Sequence, residues 1–263
     1  MFQPGMNLNL HVLKIDHLPL AGRLTHCMAN WELICVDPWV LGMVRGAHLD
    51  FGTPPFQESV PLPHSFFPEE ASLVEMEVQE MLQKGAVHKV PPEQSHKGFI
   101  SNLFLVPKKG VGQRPVINLR NLNQFLRYEH FKMEGVHMLR DLLKKGDFMV
   151  KLDLKDAYFT VPIWEKHQKF LRFIWKENLF EFACFPFGLA SAPRIFTKLM
   201  KPVVGLLRHL GIRVIIYLDD LLIMAETKEL ASSHATTALT LLEGLGFLVN
   251  FKKSVLSPTT IIE

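Results

Sequence analysis

Two adjacent carboxylates, Asp219 and Asp220, sit inside an otherwise apolar run. Val214-Ile215-Ile216-Tyr217-Leu218 precedes them and Leu221-Leu222-Ile223-Met224 follows. Burying one unpaired carboxylate is costly, and burying two side by side is worse. The run reads as two short strands with the acids at the turn between them. A third acid, Asp153, ends a similar run, Phe148-Met149-Val150-Lys151-Leu152. A divalent cation would neutralise such a group. Two apolar strands that each present an Asp can supply a two-metal phosphoryl-transfer site. Each signal alone has a plainer explanation: a Leu-Asp-Asp hairpin is most often a solvated turn, and Asp153 by itself is a polar strand tip. The joint case depends on the elements around the acids.

The strand that carries Asp153 alternates. Phe148, Val150, Leu152 and Leu154 share one face, and Met149, Lys151 and Asp153 share the other, so Asp153 points away from the more apolar side. Upstream, Pro68 with Glu69 and Glu70 starts a helix whose stripe is Val74, Val78, Met81 and Leu82, with Gly85 as its stop. Phe99–Val106 reads as a strand, residues 107–113 as a basic, Gly-containing hairpin tip, and Arg114–Leu119 as the partner strand. Lys108, Lys109 and Arg114 at that tip are either solvated charge or placed to reach a polyphosphate. Strands are expected at Phe170–Trp175 and Leu179–Phe185. A helix follows from an N-cap at Ser191, which Pro202 should kink or split. A last amphipathic helix spans about Thr227 to Gly244, and a short strand lies near Phe247–Asn250. This order predicts an α+β fold, an antiparallel sheet with helices on one face.

The chain has 263 residues, enough for one large or two intimate domains. Residues 1–67 read as a packed N-terminal extension closed by a proline-rich linker. The composition, 48% hydrophobic and 21% charged, is that of a globular protein. No run approaches the roughly 20 apolar residues that span a bilayer, and no secretory signal is visible, so no membrane partner and an intracellular location, cytoplasm or nucleus, are expected. Three cysteines, Cys27, Cys35 and Cys184, show no metal spacing and suit a reducing compartment. The net charge of +3 permits nucleic-acid binding without showing it.

Five segments, taken together and in order, resemble reverse transcriptases. Val150-Lys151-Leu152-Asp153-Leu154-Lys155-Asp156-Ala157-Tyr158-Phe159 is similar to their first catalytic motif, and Tyr217-Leu218-Asp219-Asp220 to the second. Phe185-Pro186-Phe187-Gly188-Leu189-Ala190-Ser191-Ala192-Pro193 resembles the loop and helix that contact template and nucleotide. Arg114–Asn123 resembles the fingers motif. Gly246-Phe247 with Asn250, Lys252, Lys253 and Ser254 resembles the segment after the palm helix. Phe187, where retroviral enzymes usually carry Gln, gives a retrotransposon flavour. Gly22-Arg23-Leu24, Asn30-Trp31 and Asp37–Leu41 are similar to the region upstream of the polymerase in DIRS-type elements.

The resemblance implies a right-hand polymerase with fingers at 68–146 and palm at 147–263, part of the fingers being interleaved near 160–185. The thumb is expected to be absent, since a primer-grip hairpin would begin at about Ile261–Glu263. It implies transfer of deoxynucleotides to a primer 3′-hydroxyl on an RNA or DNA template, with deoxynucleoside triphosphates as substrates. Two Mg²⁺ ions, with Mn²⁺ as the alternative, would be held by Asp153, Asp219, Asp220 and the Leu154 carbonyl. Lys108 or Lys109 and Arg114 would hold the β- and γ-phosphates. Asp156 and Ala157 would offer backbone N–H groups to the triphosphate, and Asp156 could equally cap a helix. Tyr158 would be a steric gate under the sugar or a core aromatic. Phe187 and Gly188 would pack near base and template, and Lys252 or Lys253 would protonate pyrophosphate. Other retroelement segments would supply thumb and ribonuclease H. The alternative from another class is a remnant that binds nucleic acid without turnover. A different palm enzyme, such as a nucleotidyl cyclase, fits poorly with the Arg114 hairpin and the Phe187-Gly188 loop.

Overall fold

The computed structural model describes residues 18–94, 98–108, 112–127 and 129–262. The apolar islands near the N-terminus are short helices: a 3-10 turn over Arg23–Cys27, then α1 (Met28–Ile34) and α2 (Pro38–Gly46). Asp37 starts α2, its Oδ1 accepting the Trp39 N–H at 2.8 Å, with Pro38 at the first helical position where no N–H is needed. The proline-rich stretch 53–67 has no regular structure. Helix α3 (Pro68–Gln83) follows; Glu70 Oε2 accepts the Phe67 N–H at 3.0 Å, and Val74, Val78 and Met81 are its buried stripe.

Strand β1 (Val87–Lys89) leads to β2 (Ile100–Ser101) and the hairpin β3 (Leu103–Pro107) and β4 (Gln113–Ile117). The single strand expected over Phe99–Val106 is therefore broken. At the break, the Asn102 carbonyl accepts the Asn118 N–H at 2.7 Å, and Asn102 Nδ2 donates to the Leu62 carbonyl at 2.7 Å. These bonds turn the chain from one sheet to another. Short helices α4 (Arg120–Asn123) and α5 (Val136–Leu142) precede β5 (Phe148–Asp153). After a 3-10 turn over Ala157–Thr160 come α6 (Glu165–Gln168), β6 (Arg172–Trp175) and β7 (Asn178–Phe182). Then come α7 (Ala192–His209), β8 (Arg213–Tyr217), β9 (Asp220–Ala225), α8 (Lys228–Gly244) and β10 (Val255–Thr259).

Two four-stranded sheets result, in the orders β1-β7-β6-β2 and β10-β5-β9-β8, with β3-β4 as a separate pair. All pairs in the second sheet are antiparallel. Its Val150, Leu152, Leu221 and Ile223 are wholly buried and pair across β5 and β9, on the side that α7 and α8 cover. The expected antiparallel sheet with helices on one face is this one, and the fold class is α+β.

At three places the structure narrows or overturns a local expectation. Ser191 precedes α7 with helical dihedrals, and its buried Oγ finds no hydrogen-bond partner, so it does not cap through its side chain. Of the two outcomes expected of Pro202, a kink or a split, the split does not occur. The proline's lost bond is worth about 3 kcal/mol, whereas each of Leu199, Met200, Val203 and Val204, buried around it, gains about 1.5–3 kcal/mol. Phe247–Asn250 is not a strand; only Val249 bridges to Leu154, and the last strand is Val255–Thr259 on the edge next to β5. No helix among the described residues is long and apolar enough to cross a membrane.

Candidate functional site

Strand register brings the three acids together. Asp153 on β5 is the cross-strand partner of Asp220 on β9, and Asp220 in turn faces Tyr217 on β8. Directly opposed residues share a face, about 5 Å apart at Cβ, so Asp153 and Asp220 project from the side of the sheet away from α7 and α8. Asp219 lies in the two-residue turn. Leu218, the first residue of that turn, holds φ +55°, a left-handed conformation costly for a branched side chain. The Leu154 N–H donates to the Asp219 carbonyl at 2.8 Å and ties the turn to the end of β5.

A second clamp comes from the segment after α8. The Asn250 N–H donates to the Asp153 carbonyl at 2.8 Å, the Asp153 N–H donates to Ser254 Oγ at 3.0 Å, and the Lys155 N–H donates to the Leu248 carbonyl at 2.8 Å. Both backbone groups of Asp153 are thus held by this one segment.

The electrostatics are those of crowded anions. Surrounding protein walls, and then the charges of Asp220 and Asp153, push the Asp219 carboxyl above the usual range, although the residue still opens to solvent. Lys253 opposes this shift. Asp220 Oδ1 is buried and makes no hydrogen bond; Lys151 Nζ stands 3.4 Å from it. A buried, unbonded carboxylate oxygen beside two further carboxylates is an arrangement that a cation would relieve. Among the described residues, no three His, Cys, Asp or Glu side chains enclose a metal position by themselves. That donor set suits Mg²⁺, which takes one or two carboxylates and completes its shell with water, backbone or phosphate oxygen. Beside Asp220 the open face of the sheet borders a cleft of about 460 Å³ lined by Lys151, Ile215, Tyr217 and Glu134 among others.

The residues expected to meet a nucleotide fall around the acids and on the β3-β4 hairpin. Tyr158 is half-buried, edge-on to Phe187 and Phe196 with ring centroids 5.9 and 5.3 Å away. Burial, then the nearby Asp219, pushes its phenol up to about 12. Phe187 also carries the Arg114 guanidinium, 5.1 Å from its ring centroid. Gly188 has φ +96°, and a Cβ there would lie 3.2 Å from the Ile117 carbonyl, so this loop crosses β4 closely. Asp156 holds φ 49° and does not cap the following turn; its carboxylate pairs with Lys84 Nζ at 2.9 Å. Ala157 is buried. Lys108 is exposed and lies near Glu77 and Glu80 of α3, whose charges feel it. Lys109 lies outside the described residues. Lys252 and Lys253 are both exposed on the turn after α8, and Lys253 is the one near enough to act on Asp219.

Four supporting residues receive no role from the sequence. Asn123 grips the Phe187-Gly188 loop, donating from Nδ2 to the Gly188 carbonyl at 2.9 Å and accepting the Ala190 N–H at 3.0 Å. Ser254 receives the Asp153 N–H, and Lys151 neighbours Asp220. All three lie inside or beside the recognised motifs, which is their only signal. Lys84 has none, because its partner Asp156 is distant in the chain.

Known proteins resemble this chain in sequence and in fold. The family model described as "Reverse transcriptase (RNA-dependent DNA polymerase)" matches residues 106–261. A retrovirus-related Pol polyprotein from transposon gypsy of Drosophila melanogaster is 27% identical over 190 residues, 70% of this chain and 18% of that one. Polyprotein P3 of Commelina yellow mottle virus is 29% identical over 144 residues, 54% of this chain and 7% of that one. The chain thus spans less than a fifth of either relative. A foamy viral protease–reverse transcriptase solved with double-stranded DNA superposes with a TM-score of 0.68 at 19% identity, covering 80% of this chain and 42% of that one. Its counterpart with an RNA/DNA hybrid gives 0.62 at 18% identity, covering 79% and 28%. Residues 22–41 lie upstream of the matched residues.

Proposed function

The chain belongs to the reverse transcriptase family, and from that premise we propose that it is the fingers and palm of an RNA-directed DNA polymerase, adding deoxynucleotides to a primer 3′-hydroxyl. Fingers would comprise 68–146 and part of 160–185, and palm the remainder of 147–263. The observation that carries the proposal is the register that opposes Asp153 to Asp220 with Asp219 in the adjoining turn. Mg²⁺ held there would lower the pKa of the attacking hydroxyl and offset charge on the leaving pyrophosphate. Asp153, Asp219 and Asp220, with the Leu154 carbonyl, would hold two such ions between them.

The rest is done by this chain's own groups. Lys108 or Lys109 and Arg114 would bind the β- and γ-phosphates, Arg114 kept in place by the Phe187 ring. The Asp156 and Ala157 N–H groups would receive phosphate oxygens. Tyr158 would close the space a 2′-hydroxyl needs, and Phe187 and Gly188 would back the base and template. Lys253, the lysine that acts on Asp219, is favoured over Lys252 as the proton donor to pyrophosphate. The two foamy viral complexes hold double-stranded DNA and an RNA/DNA hybrid; a primed RNA or DNA template is proposed as the partner here, with other segments of a longer retroelement protein alongside. The test is single-nucleotide insertion on a primed RNA template with Mg²⁺, comparing the chain with Asp153→Asn. Insertion by the parent that is lost in the variant supports the proposal. Binding of primer-template without insertion at any Mg²⁺ or Mn²⁺ concentration would overturn it in favour of a nucleic-acid-binding remnant.

A further inference from the structure

Helix α1 lies outside the residues matched by the family model, yet it touches the chain that holds Asp153. Asn30 and Trp31 are both wholly buried. Asn30 Nδ2 donates to the Gly244 carbonyl at 2.6 Å, and Trp31 Nε1 donates to the Leu245 carbonyl at 3.0 Å. Those carbonyls belong to the C-terminal end of α8, where a helix leaves acceptors unpaired. Trp31 also meets Phe247 edge-on at 6.1 Å. Gly246, φ +97°, passes so close that a Cβ would lie 3.1 Å from Cys27 Sγ and 3.2 Å from the Arg23 carbonyl. The end of α8 is therefore seated against the N-terminal segment over four consecutive residues.

The clamp on the acid strand comes directly after that seat in the chain. Leu248 accepts the Lys155 N–H, Val249 bridges Leu154, and Asn250 donates to the Asp153 carbonyl. The N-terminal segment also braces the other flank of the site. The Gly22 N–H donates to the Phe159 carbonyl at 2.8 Å, and the Ala47 N–H to the Pro162 carbonyl at 2.8 Å. These bonds hold both ends of the stretch Phe159–Pro162, which follows Tyr158 directly.

We infer that Asn30 and Trp31 are positioning residues for the acid site, acting through the α8 terminus and the 248–250 segment on Asp153. Buried donors of this kind are stable only when bonded, so they fix where the α8 terminus sits, and a one-ångström error there is passed on by backbone hydrogen bonds. What the positioned site does rests on the polymerase proposal; the coupling itself does not.

The experiment is amide hydrogen exchange on the full chain, for the parent, Asn30→Ala and Trp31→Phe. Trp31→Phe keeps a six-membered ring in the core and removes the donor with the rest of the indole, a smaller loss than truncation to Ala, so it reports even where Asn30→Ala folds poorly. The expected result is exchange about tenfold faster at Lys155 and Asn250 in each variant. Phe182 and Arg172, whose N–H groups bond within the other sheet region, should stay within about twofold. In parallel, the Mg²⁺ concentration for half-maximal insertion should rise several-fold with KM for primer-template unchanged. Equal acceleration at both sets of amides means ordinary core packing and overturns the inference, as does no acceleration at Lys155 and Asn250. A parent chain that inserts no nucleotide sinks the polymerase proposal and leaves the exchange comparison standing.

Discussion

Asp219 is the residue whose environment is least comfortable without a cation. Walls of protein and two neighbouring carboxylates raise its pKa, so its ionisation weakens the fold: stability from the protonated form is present at low pH and is lost as pH rises through the raised value. Asp219→Asn should therefore raise the melting temperature of the metal-free chain at pH 7 by about 1–3 °C. Millimolar Mg²⁺ should raise the parent's melting temperature and leave the variant's unchanged, while insertion falls by at least about 10³-fold. Calorimetry with and without Mg²⁺ checks this, and equal Mg²⁺ stabilisation of both proteins would place the ion elsewhere. Tyr158 is different in kind. Its phenol, pushed up to about 12, stays protonated at neutral pH, so it contributes shape rather than charge. Its ring is braced by Phe187 and Phe196. Tyr158→Val should raise the ribonucleotide-to-deoxynucleotide ratio of kcat/KM by at least about tenfold, with a smaller effect on Mg²⁺ dependence. An unchanged ratio in competitive insertion would reduce Tyr158 to a packing residue.

Among the elements, β5 and β8 enter the site's sheet through one ion pair. Asp147, just before β5, is buried; it accepts from Arg213 Nη1 at 2.5 Å and Nη2 at 2.7 Å, and from the Lys144 N–H at 2.7 Å. The Arg213 hydrogen bonds, outweighing burial, hold its carboxyl below the usual range. Its stabilisation is thus complete above the ordinary carboxylate pKa of about 4 and is lost as pH falls through the lowered value. Asp147→Asn should cost about 3 kcal/mol at pH 7, near the low end for a broken buried pair because Arg213 keeps partial solvent access. In urea unfolding the gap between parent and variant should close as pH drops below about 4; a gap independent of pH would deny the pair its role. Elements are legible in the sequence where a local pattern and its burial agree. The alternation of β5, the α3 stripe and the start of α8 at about Thr227 are of this kind, and the fold adds that Thr227 Oγ1 caps α8 by accepting the Leu230 N–H at 3.2 Å. The break at Asn102 and the edge strand Val255–Thr259 are not, because both depend on distant partners, Leu62 and Asn118 in one case and β5 in the other. The acids themselves are legible from type and spacing, whereas the clamp by Asn250 and Ser254 needs the fold.

At the scale of the molecule, one hydrophobic core runs from Leu20 to Val249 and joins both sheets. The N-terminal helices contribute Leu24, Trp31 and Val44 to it, all wholly buried, and β1 and β2 form the two outer strands of the sheet whose inner pair is β6-β7. Removing everything before residue 106 would strip that sheet to a two-stranded hairpin, which is marginal on its own in water. It would also uncover the α8 terminus and the apolar faces beneath α1, α2 and α3. Loss of Trp31 alone should cost about 3–5 kcal/mol, a large part of the roughly 5–15 kcal/mol that stabilises a typical protein. The family-matched residues 106–261 are therefore a unit of resemblance and not a unit of folding. A chain trimmed to them should show no cooperative urea transition by circular dichroism, bind hydrophobic dye and insert no nucleotide, while the full chain unfolds in a single step or in two sheet-wise steps. A cooperative transition in the trimmed chain, with a denaturant slope in proportion to its length, would show that the sheet carrying Asp153, Asp219 and Asp220 is self-sufficient and that the N-terminal segment only decorates it.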